Sequence, residues 1–172
     1  MGYLAHIKGF DMLIEVAAAL LRKRNDWYWD IYGAGVEMEQ LQSLIIEKHL
    51  ENNVFMKGYC SNVYDKYSEY SMFVLTSRAE GMGMVLVEAQ KSKLPVVSFD
   101  IDCGPSDVIE DNQNGYLVKP FDVEEMAEKI NLLLNSEKKR IFFSNNSEIK
   151  HDEFEKKVIL EKWKQILDKE RL

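Results

Sequence analysis

Residues 72–99 read MFVLTSRAEGMGMVLVEAQKSKLPVVSF, and they contain the pattern from which the architecture follows. Two short apolar runs, 72–76 and 94–99, have the length and composition of buried strands. Between them lies a glycine-containing turn followed by an apolar segment of helical length. A strand, a helix and a strand in this order predict two parallel strands joined by a right-handed crossover. Open α/β folds bind ligands at the carboxyl edge of such a sheet.

Two glutamates, Glu80 and Glu88, flank the residues from Gly81 to Val87 in this turn and helix. A helix start presents unpaired backbone N–H groups and the positive end of the helix dipole, which together favour a phosphate or diphosphate. At about 1.5 Å of rise per residue, the two carboxylates span at most roughly 12 Å. They can therefore reach hydroxyls on opposite sides of a diphosphate, which is the layout of a nucleotide-sugar. The structural alternative is that Glu80 caps the helix and Glu88 faces solvent.

The rest of the chain alternates between helices and strands, which predicts an α/β fold with a parallel sheet and helices on both faces. Helices are predicted at about 11–22, 36–49, 63–70, 122–134 and from 105 onward, and further strands at 29–32, 54–56 and 116–118. A length of 172 residues with 46% hydrophobic content fits one domain rather than two. Residues 1–135 are predicted to form this nucleotide-sugar-binding domain. Residues 136–172 are predicted to add a polar, mobile connection and a C-terminal amphipathic helix that packs on the same domain.

The overall composition limits the partners and the compartment. A net charge of −7 argues against nucleic acid or an anionic membrane as the main partner, since both require clustered Lys and Arg. Cys60 and Cys103 are isolated in the sequence, which predicts free thiols in a reducing compartment. The sequence has neither a run of transmembrane length nor a secretory signal at its start. These features predict a cytoplasmic protein.

Seven short motifs follow one another along nearly the whole chain. They are KGFD at 8–11, IYGAG at 31–35, VFMKG at 54–58, TSRAEGMGMVLVEA at 76–89, PVV at 95–97, GPSDVI at 104–109 and NGYLV at 114–118. In this order they resemble the C-terminal, donor-binding domain of the retaining GT-B glycosyltransferases of family 4, whose signature is E-x7-E. The resemblance implies a single Rossmann-like domain that is half of a GT-B fold, with an N-terminal acceptor-binding domain missing and Met1 at the start of a fragment.

The resemblance also implies a role for each candidate residue. Glu80 would contact hydroxyls of the transferred sugar, and Glu88 would hold the ribose. Lys8 would stabilise the charge of the leaving nucleoside diphosphate, so Glu80 and Lys8 are the expected catalytic pair. The remaining donor-binding positions are Met56 and Lys57 beside the base, Gly33 in a tight turn that admits the nucleoside, and the backbone N–H groups of Gly81, Met82, Gly83, Met84, Val85 and Leu86 at the diphosphate.

The implied activity is transfer of a sugar, most readily from a UDP-sugar, to a glycan or lipid-linked acceptor in polysaccharide or lipopolysaccharide-type biosynthesis. One position departs from the family pattern, because Tyr3 stands where the family carries an arginine. A non-catalytic nucleotide-binding module and a GT-B nucleotide-sugar epimerase therefore remain as alternatives.

No metal or other cofactor is expected. The D-x-D run Asp100–Asp102 is the metal signature of a different glycosyltransferase fold, and here it leads into a GT-B-like loop. His6, His49 and His151 lack the spacing of metal ligands. In the resembled family the last helix often crosses back to the N-terminal domain, and Trp and Lys within residues 154–167 leave peripheral attachment at the inner face of the cell membrane as an alternative.

Overall fold

The computed structural model describes residues 1–22, 24, 26–147, 150 and 156–169, and it confirms the predicted Rossmann-like alternation of helices and strands. A short 3-10 turn, His6–Lys8, precedes the first helix. The strands are β1 (Trp29–Tyr32), β2 (Val54–Gly58), β3 (Phe73–Leu75), β4 (Val96–Phe99) and β5 (Gly115–Val118). The helices are α1 (Phe10–Leu21), α2 (Met38–Glu47), α3 (Val63–Tyr67), α4 (Met84–Lys91), α5 (Pro105–Val108), α6 (Val123–Leu134), α7 (Glu137–Asn145) and α8 (Lys156–Lys169).

All strand pairs are parallel, as predicted, but the strands form two sheets. β1 pairs with β2, and β4 lies between β3 and β5. β1 and β3 do not pair with each other. The predicted parallel arrangement is therefore present as a two-stranded and a three-stranded sheet.

Helices cover both faces of the larger sheet. Val97 and Phe99 on β4 pack into a core with α1 and α6, whereas Val96 packs into a second core with α4. Every residue of β4 is buried. An apolar run such as residues 94–99 is what a parallel strand covered on both faces requires.

The connection after α6 is a helix rather than the predicted mobile segment. Ser136 caps α7 by accepting a hydrogen bond from the N–H of Lys139, at 3.2 Å. Phe143 is 1% exposed and meets the Tyr116 ring edge-to-face, with ring centroids 5.0 Å apart. The cap and the buried aromatic ring both stabilise this polar stretch as a helix packed against the domain.

The last helix, α8, exposes its apolar side chains. Ile159, Leu160, Trp163, Ile166 and Leu167 are all exposed, so the predicted packing of this helix on the same domain is not observed. His151 and Phe154, the first residue of the apolar series 154–167, lie outside the described residues. Every helix in the described part of the chain is too short or too polar to span a bilayer.

Candidate active site

Lys8 and Glu80, which are 72 positions apart in the sequence, meet at the carboxyl end of β3. The Nζ of Lys8 donates to both carboxylate oxygens of Glu80, at 2.9 and 2.8 Å. The hydroxyl of Ser77 donates to Oε1 of Glu80 at 2.6 Å. The Glu80 side chain is only 8% exposed, whereas Lys8 remains 32% exposed. Glu80 is therefore held in one orientation, and Lys8 can still reach a ligand.

Arg78 links the loop that contains Glu80 to the loop that contains Lys8 through hydrogen bonds. Its guanidinium donates two hydrogen bonds to the carboxylate of Asp11, at 2.7 and 2.6 Å, and a third to the carbonyl of His6, at 2.8 Å. Bidentate pairs of this kind fix geometry as well as charge. Burial alone would raise the pKa of Asp11, but the hydrogen bonds and charge of Arg78 hold it below its usual value. Asp11, the Asp of the KGFD motif, thus holds Arg78 and through it connects the two loops.

The glycine turn leads into α4 as predicted, although the helix begins later than expected. Gly83 precedes the helix in the left-handed conformation, with φ of 69°. The N–H of Leu86 donates to the carbonyl of Gly83, and the Leu86 side chain is fully buried. Leu86 is therefore a core residue whose N–H is already paired, which corrects its predicted role at the diphosphate. The N–H groups of Met84 and Val85 belong to the first turn of α4, and Gly81 and Met82 lie in the turn before it.

Glu88 lies on α4 and is held by two tyrosines of the neighbouring helix α3. The hydroxyl of Tyr67 donates to Oε2 of Glu88 at 3.1 Å, and that of Tyr64 donates to Oε1 at 3.3 Å. Tyr67 is fully buried. Its burial, and then the charge of Glu88, raise the pKa of Tyr67, so the phenol remains a hydrogen-bond donor. Glu88 is thus a positioned carboxylate and not a freely solvated helix residue.

The residues predicted to lie beside the base and nucleoside are on the other sheet. Met56 is partly buried against the core of α1 and α2, and the Nζ of Lys57 lies 3.5 Å from a carboxylate oxygen of Asp30. A Cβ at Gly33 would lie 2.0 Å from the carbonyl oxygen of Gly2. The tight turn at Gly33 is present, but the room that it leaves is filled by the backbone of Gly2. The described neighbours of these three residues are thus Gly2, the core of α1 and α2, and Asp30.

Sequence reasoning missed the residues that orient the two glutamates. Ser77 and Arg78 stand inside the glycosyltransferase-like run, but nothing in a run of letters shows which carboxylate each one meets. The signal for Tyr64 and Tyr67 was their three-residue spacing on a predicted helix, which puts both on one side.

Tyr3, the position of the expected arginine, is 59% exposed. Asp100 and Asp102 are exposed on either side of buried Ile101. Within the described residues, no three His, Cys, Asp or Glu side chains gather in a group that could hold a metal ion.

Comparison with known proteins identifies the family. The family model "Glycosyl transferases group 1" matches residues 1–150. The chain belongs to this family. The matched residues include Lys8, Glu80 and Glu88, so the arrangement described above lies within the family domain.

Two curated glycosyltransferases are similar to this chain over most of its length. The chain is 41% identical over 157 residues to the poly(ribitol-phosphate) alpha-N-acetylglucosaminyltransferase of Staphylococcus aureus (strain COL), covering 91% of the chain and 32% of that protein. It is 27% identical over 160 residues to the poly(glycerol-phosphate) alpha-glucosyltransferase of Bacillus subtilis (strain 168), covering 93% of the chain and 24% of that protein. The chain therefore spans about a third or less of the length of these relatives.

Solved structures show the same fold. A crystal structure of a mutant of S. aureus TarM in complex with Fondaparinux, alpha-GlcNAc-glycerol and UDP matches with a TM-score of 0.91 and 38% identity, over 95% of this chain and 34% of that one. The pneumococcal O-GlcNAc transferase GtfA in complex with UDP and GlcNAc matches with a TM-score of 0.84 and 30% identity, over 97% and 34% of the two chains.

Proposed function

We propose that this chain is the donor-binding half of a retaining GT-B glycosyltransferase of family 4. The enzyme would transfer a sugar from a UDP-sugar to a glycan or lipid-linked acceptor in polysaccharide biosynthesis. The observation that carries the proposal is the Lys8–Glu80 pair at the carboxyl end of β3, next to a glycine turn and a helix that bears Glu88. This arrangement has a cation, helix N–H groups and two positioned carboxylates, which together match a diphosphate between two polyols.

Each part of the donor has a matching group. Lys8 has three N–H donors, of which Glu80 accepts two in the described contacts, so the third can address a phosphate oxygen. The start of α4 supplies further N–H groups and a favourable dipole. Glu80, fixed by Ser77, would accept hydrogen bonds from the sugar. Glu88, fixed by Tyr67, would accept them from the ribose.

The proposed reaction breaks the bond between the anomeric carbon and the diphosphate oxygen. The acceptor hydroxyl forms the new bond on the same face of the sugar, and its proton passes to an oxygen of the leaving diphosphate. Lys8 and the N–H groups of α4 would stabilise the negative charge that grows on the leaving group. The same groups carry the diphosphate's charge without a metal ion, so no metal is proposed.

The names of the relatives support the choice of donor and acceptor. The matched TarM and GtfA structures contain UDP, and the S. aureus and B. subtilis relatives are named for poly(ribitol-phosphate) and poly(glycerol-phosphate). We therefore propose UDP as the nucleotide and a hydroxyl-rich polymer as the acceptor.

Paired substitutions test the two glutamate roles. Glu88→Ala should weaken the binding of UDP by at least about tenfold, because a hydrogen bond to a charged group contributes roughly 1.5–3 kcal/mol. Glu80→Ala should leave the affinity for UDP nearly unchanged and lower the affinity for the intact UDP-sugar. Titration calorimetry in excess chelator measures both ligands, and circular dichroism confirms that each variant is folded. Equal loss of UDP affinity in both variants, or binding that requires Mg²⁺ or Mn²⁺, would contradict the assignment.

The rest of the enzyme is proposed to lie across the ligand site and against α8. Transfer requires an acceptor held against the donor, and loss of positioning removes several kcal/mol of barrier lowering. The chain alone is therefore expected to bind donor without transferring sugar. The exposed apolar side of α8 would be covered by the acceptor-binding domain, with the inner membrane surface as the alternative. Sedimentation with anionic vesicles, compared with neutral ones, separates the two.

A further inference from the structure

The 3-10 turn that carries Lys8 has no side chain in the core. None of its residues, His6–Lys8, is buried. On either side of the turn along the chain, Leu4 and Phe10 are buried. A segment with few buried apolar contacts moves easily unless other interactions hold it. The position of Lys8 therefore depends on the hydrogen bonds that its turn makes with the rest of the domain.

Arg78, in the loop between β3 and α4, donates hydrogen bonds to this turn from outside it. Its backbone N–H donates to the carbonyl of Ile7 at 2.8 Å. Its guanidinium donates to the carbonyl of His6, also at 2.8 Å. These are the two carbonyl groups that directly precede Lys8 in the chain. One residue of the Glu80 loop thus fixes the peptide groups from which the Lys8 side chain extends.

Asp11 fixes the direction of the Arg78 guanidinium. It lies in the first turn of α1 and accepts two hydrogen bonds from Arg78, at 2.7 and 2.6 Å. The side chains of Arg78 and Asp11 are 25% and 33% exposed, so water screens the pair only in part. A planar guanidinium bound at two points keeps one orientation, which the ammonium of a lysine cannot reproduce. Because α1 packs in the core, the pair relates the position of the Lys8 turn to that of the helix.

The positive charges of Arg78 and Lys8 have different roles. The charge of Arg78 is matched by the carboxylate of Asp11, which accepts both of its strongest hydrogen bonds. Lys8 is partly exposed beside Glu80 and keeps an N–H for a ligand. Its attraction for a phosphate falls as the distance between the two charges grows. Arg78 therefore affects a bound diphosphate by placing Lys8, without contacting the ligand itself.

We propose that Arg78 is a positioning residue for the diphosphate of the donor and that it acts through Lys8. This role rests on the proposed function, in which Lys8 addresses a phosphate oxygen. The fork of hydrogen-bond donors on Arg78 is required, and its positive charge alone is not enough. Asp11 supports the role by keeping the guanidinium directed at the carbonyl of His6.

Arg78→Lys tests this role, because it keeps the charge and removes the fork. Arg24→Lys is the matched control, since Arg24 makes the same kind of two-point pair with Asp26, at 2.7 and 2.6 Å, in the connection between α1 and β1. NMR titration measures the affinity of each variant for UDP and for uridine, which lacks the phosphates. Arg78→Lys should weaken the binding of UDP by at least about fivefold and leave that of uridine unchanged. Arg24→Lys should change neither affinity.

A second background shows whether Arg78 acts through Lys8. In Lys8→Met, the added change Arg78→Lys should weaken the binding of UDP by less than about twofold, because the group that Arg78 positions is already gone. Urea unfolding of every variant measures the cost in stability separately. Asp11→Asn gives a second test of the same fork, in which the side chain of Arg78 is kept. It should also weaken the binding of UDP and not that of uridine.

The placement of Lys8 is also measured without a nucleotide, by the rate at which an acylating reagent modifies its amine. Mass spectrometry follows Lys8 and, as the internal reference, Lys66, which pairs with Glu69 at 2.8 Å. Lys8 should react several-fold faster in Arg78→Lys than in the parent chain, because its amine leaves the carboxylate of Glu80 more often. Lys66 should react at the same rate in both chains.

Three results would overturn the role of Arg78. They are full affinity for UDP in Arg78→Lys, an equal loss of UDP and uridine binding, and an undiminished effect of Arg78→Lys in the Lys8→Met background. An unchanged rate of Lys8 acylation would overturn it as well. A parent chain that binds no UDP would instead contradict the proposed function, and the acylation rates would then decide whether Arg78 places Lys8.

Discussion

Gly9→Ala should be far more destabilising than alanine at two other glycines of this domain. Gly9 has φ of +61°, and a Cβ there would lie 2.0 Å from the carbonyl oxygen of Thr76 and 2.9 Å from its carbon. Gly58 has φ of +72°, but nothing lies within 4 Å of a Cβ there. Gly81 has neither a positive φ nor a neighbour within 4 Å of a Cβ. The three sites therefore separate backbone strain from steric overlap.

The magnitudes follow from these two costs. A non-glycine residue in the left-handed region costs about 1–2 kcal/mol, and each Gly→Ala change regains roughly 0.4–1 kcal/mol by restricting the unfolded chain. Gly58→Ala should therefore lower the free energy of unfolding by about 1 kcal/mol, and Gly81→Ala, which has neither cost, should raise it by roughly 0.4–1 kcal/mol. At Gly9 the overlap with backbone atoms adds about 1–3 kcal/mol. The total loss at Gly9 should be about 2–4 kcal/mol.

Urea unfolding followed by circular dichroism measures all three variants against the parent chain. The overlap at Gly9 has a second consequence, because the adjacent Lys8 must shift relative to Glu80 when the loop moves away from Thr76. UDP affinity should fall in Gly9→Ala and not in Gly58→Ala. If Gly9→Ala costs no more than Gly58→Ala, the close packing of the Lys8 loop on the end of β3 is refuted.

Three other perturbations have defined outcomes. Tyr67→Phe should weaken the binding of UDP by about three- to tenfold in titration calorimetry, because Glu88 loses a buried hydrogen-bond donor. An unchanged affinity for UDP would show that Tyr67 does not support the site. Asp11→Asn should lower the urea midpoint at neutral pH, because the variant lacks the carboxylate that pairs with Arg78. Folding lowers the pKa of Asp11, so the contribution of this carboxylate to stability is lost only as the pH falls and it is protonated. The variant should therefore lose less stability below pH 4 than the parent chain. In a chain with a free amine at Met1, the free energy of unfolding should rise between about pH 6 and 8, because the unfolded chain binds the proton more tightly. N-terminal acetylation should abolish that rise, and a slope that survives acetylation belongs to another group.

The two carboxylates and the glycine turn could be predicted because their relation is local. Glu80, Gly83 and Glu88 lie within one turn and one helix, so their order along the chain fixes their approximate distances. The error at Leu86 was also local. A start of the helix at Met84 instead of nearer Glu80 is enough to convert a predicted phosphate-binding N–H into one bonded to Gly83. Boundaries of this kind depend on a single left-handed residue, which the apolar pattern does not reveal.

The helix α7 was missed because its stability is mostly tertiary. Residues 137–145 are polar overall, and this composition predicts a mobile connection. Phe143 is nevertheless buried against Tyr116, which lies on a strand 27 residues earlier in the sequence. A short helix is marginal without such packing, so its presence depended on a contact that no local pattern encodes.

By itself the sequence determined the α/β class, the order of the elements, the family motifs and the spacing of Glu80 and Glu88, because periodicity and short-range spacing are properties of neighbouring residues. The tertiary structure decided which distant groups meet: Lys8 with Glu80, Arg78 with Asp11, and Tyr67 with Glu88. It also decided that β1 and β3 stand apart with a cavity between them. Strand pairing depends on which edges come together in space, and an apolar run has the same appearance in the sequence whether its neighbour is present or absent.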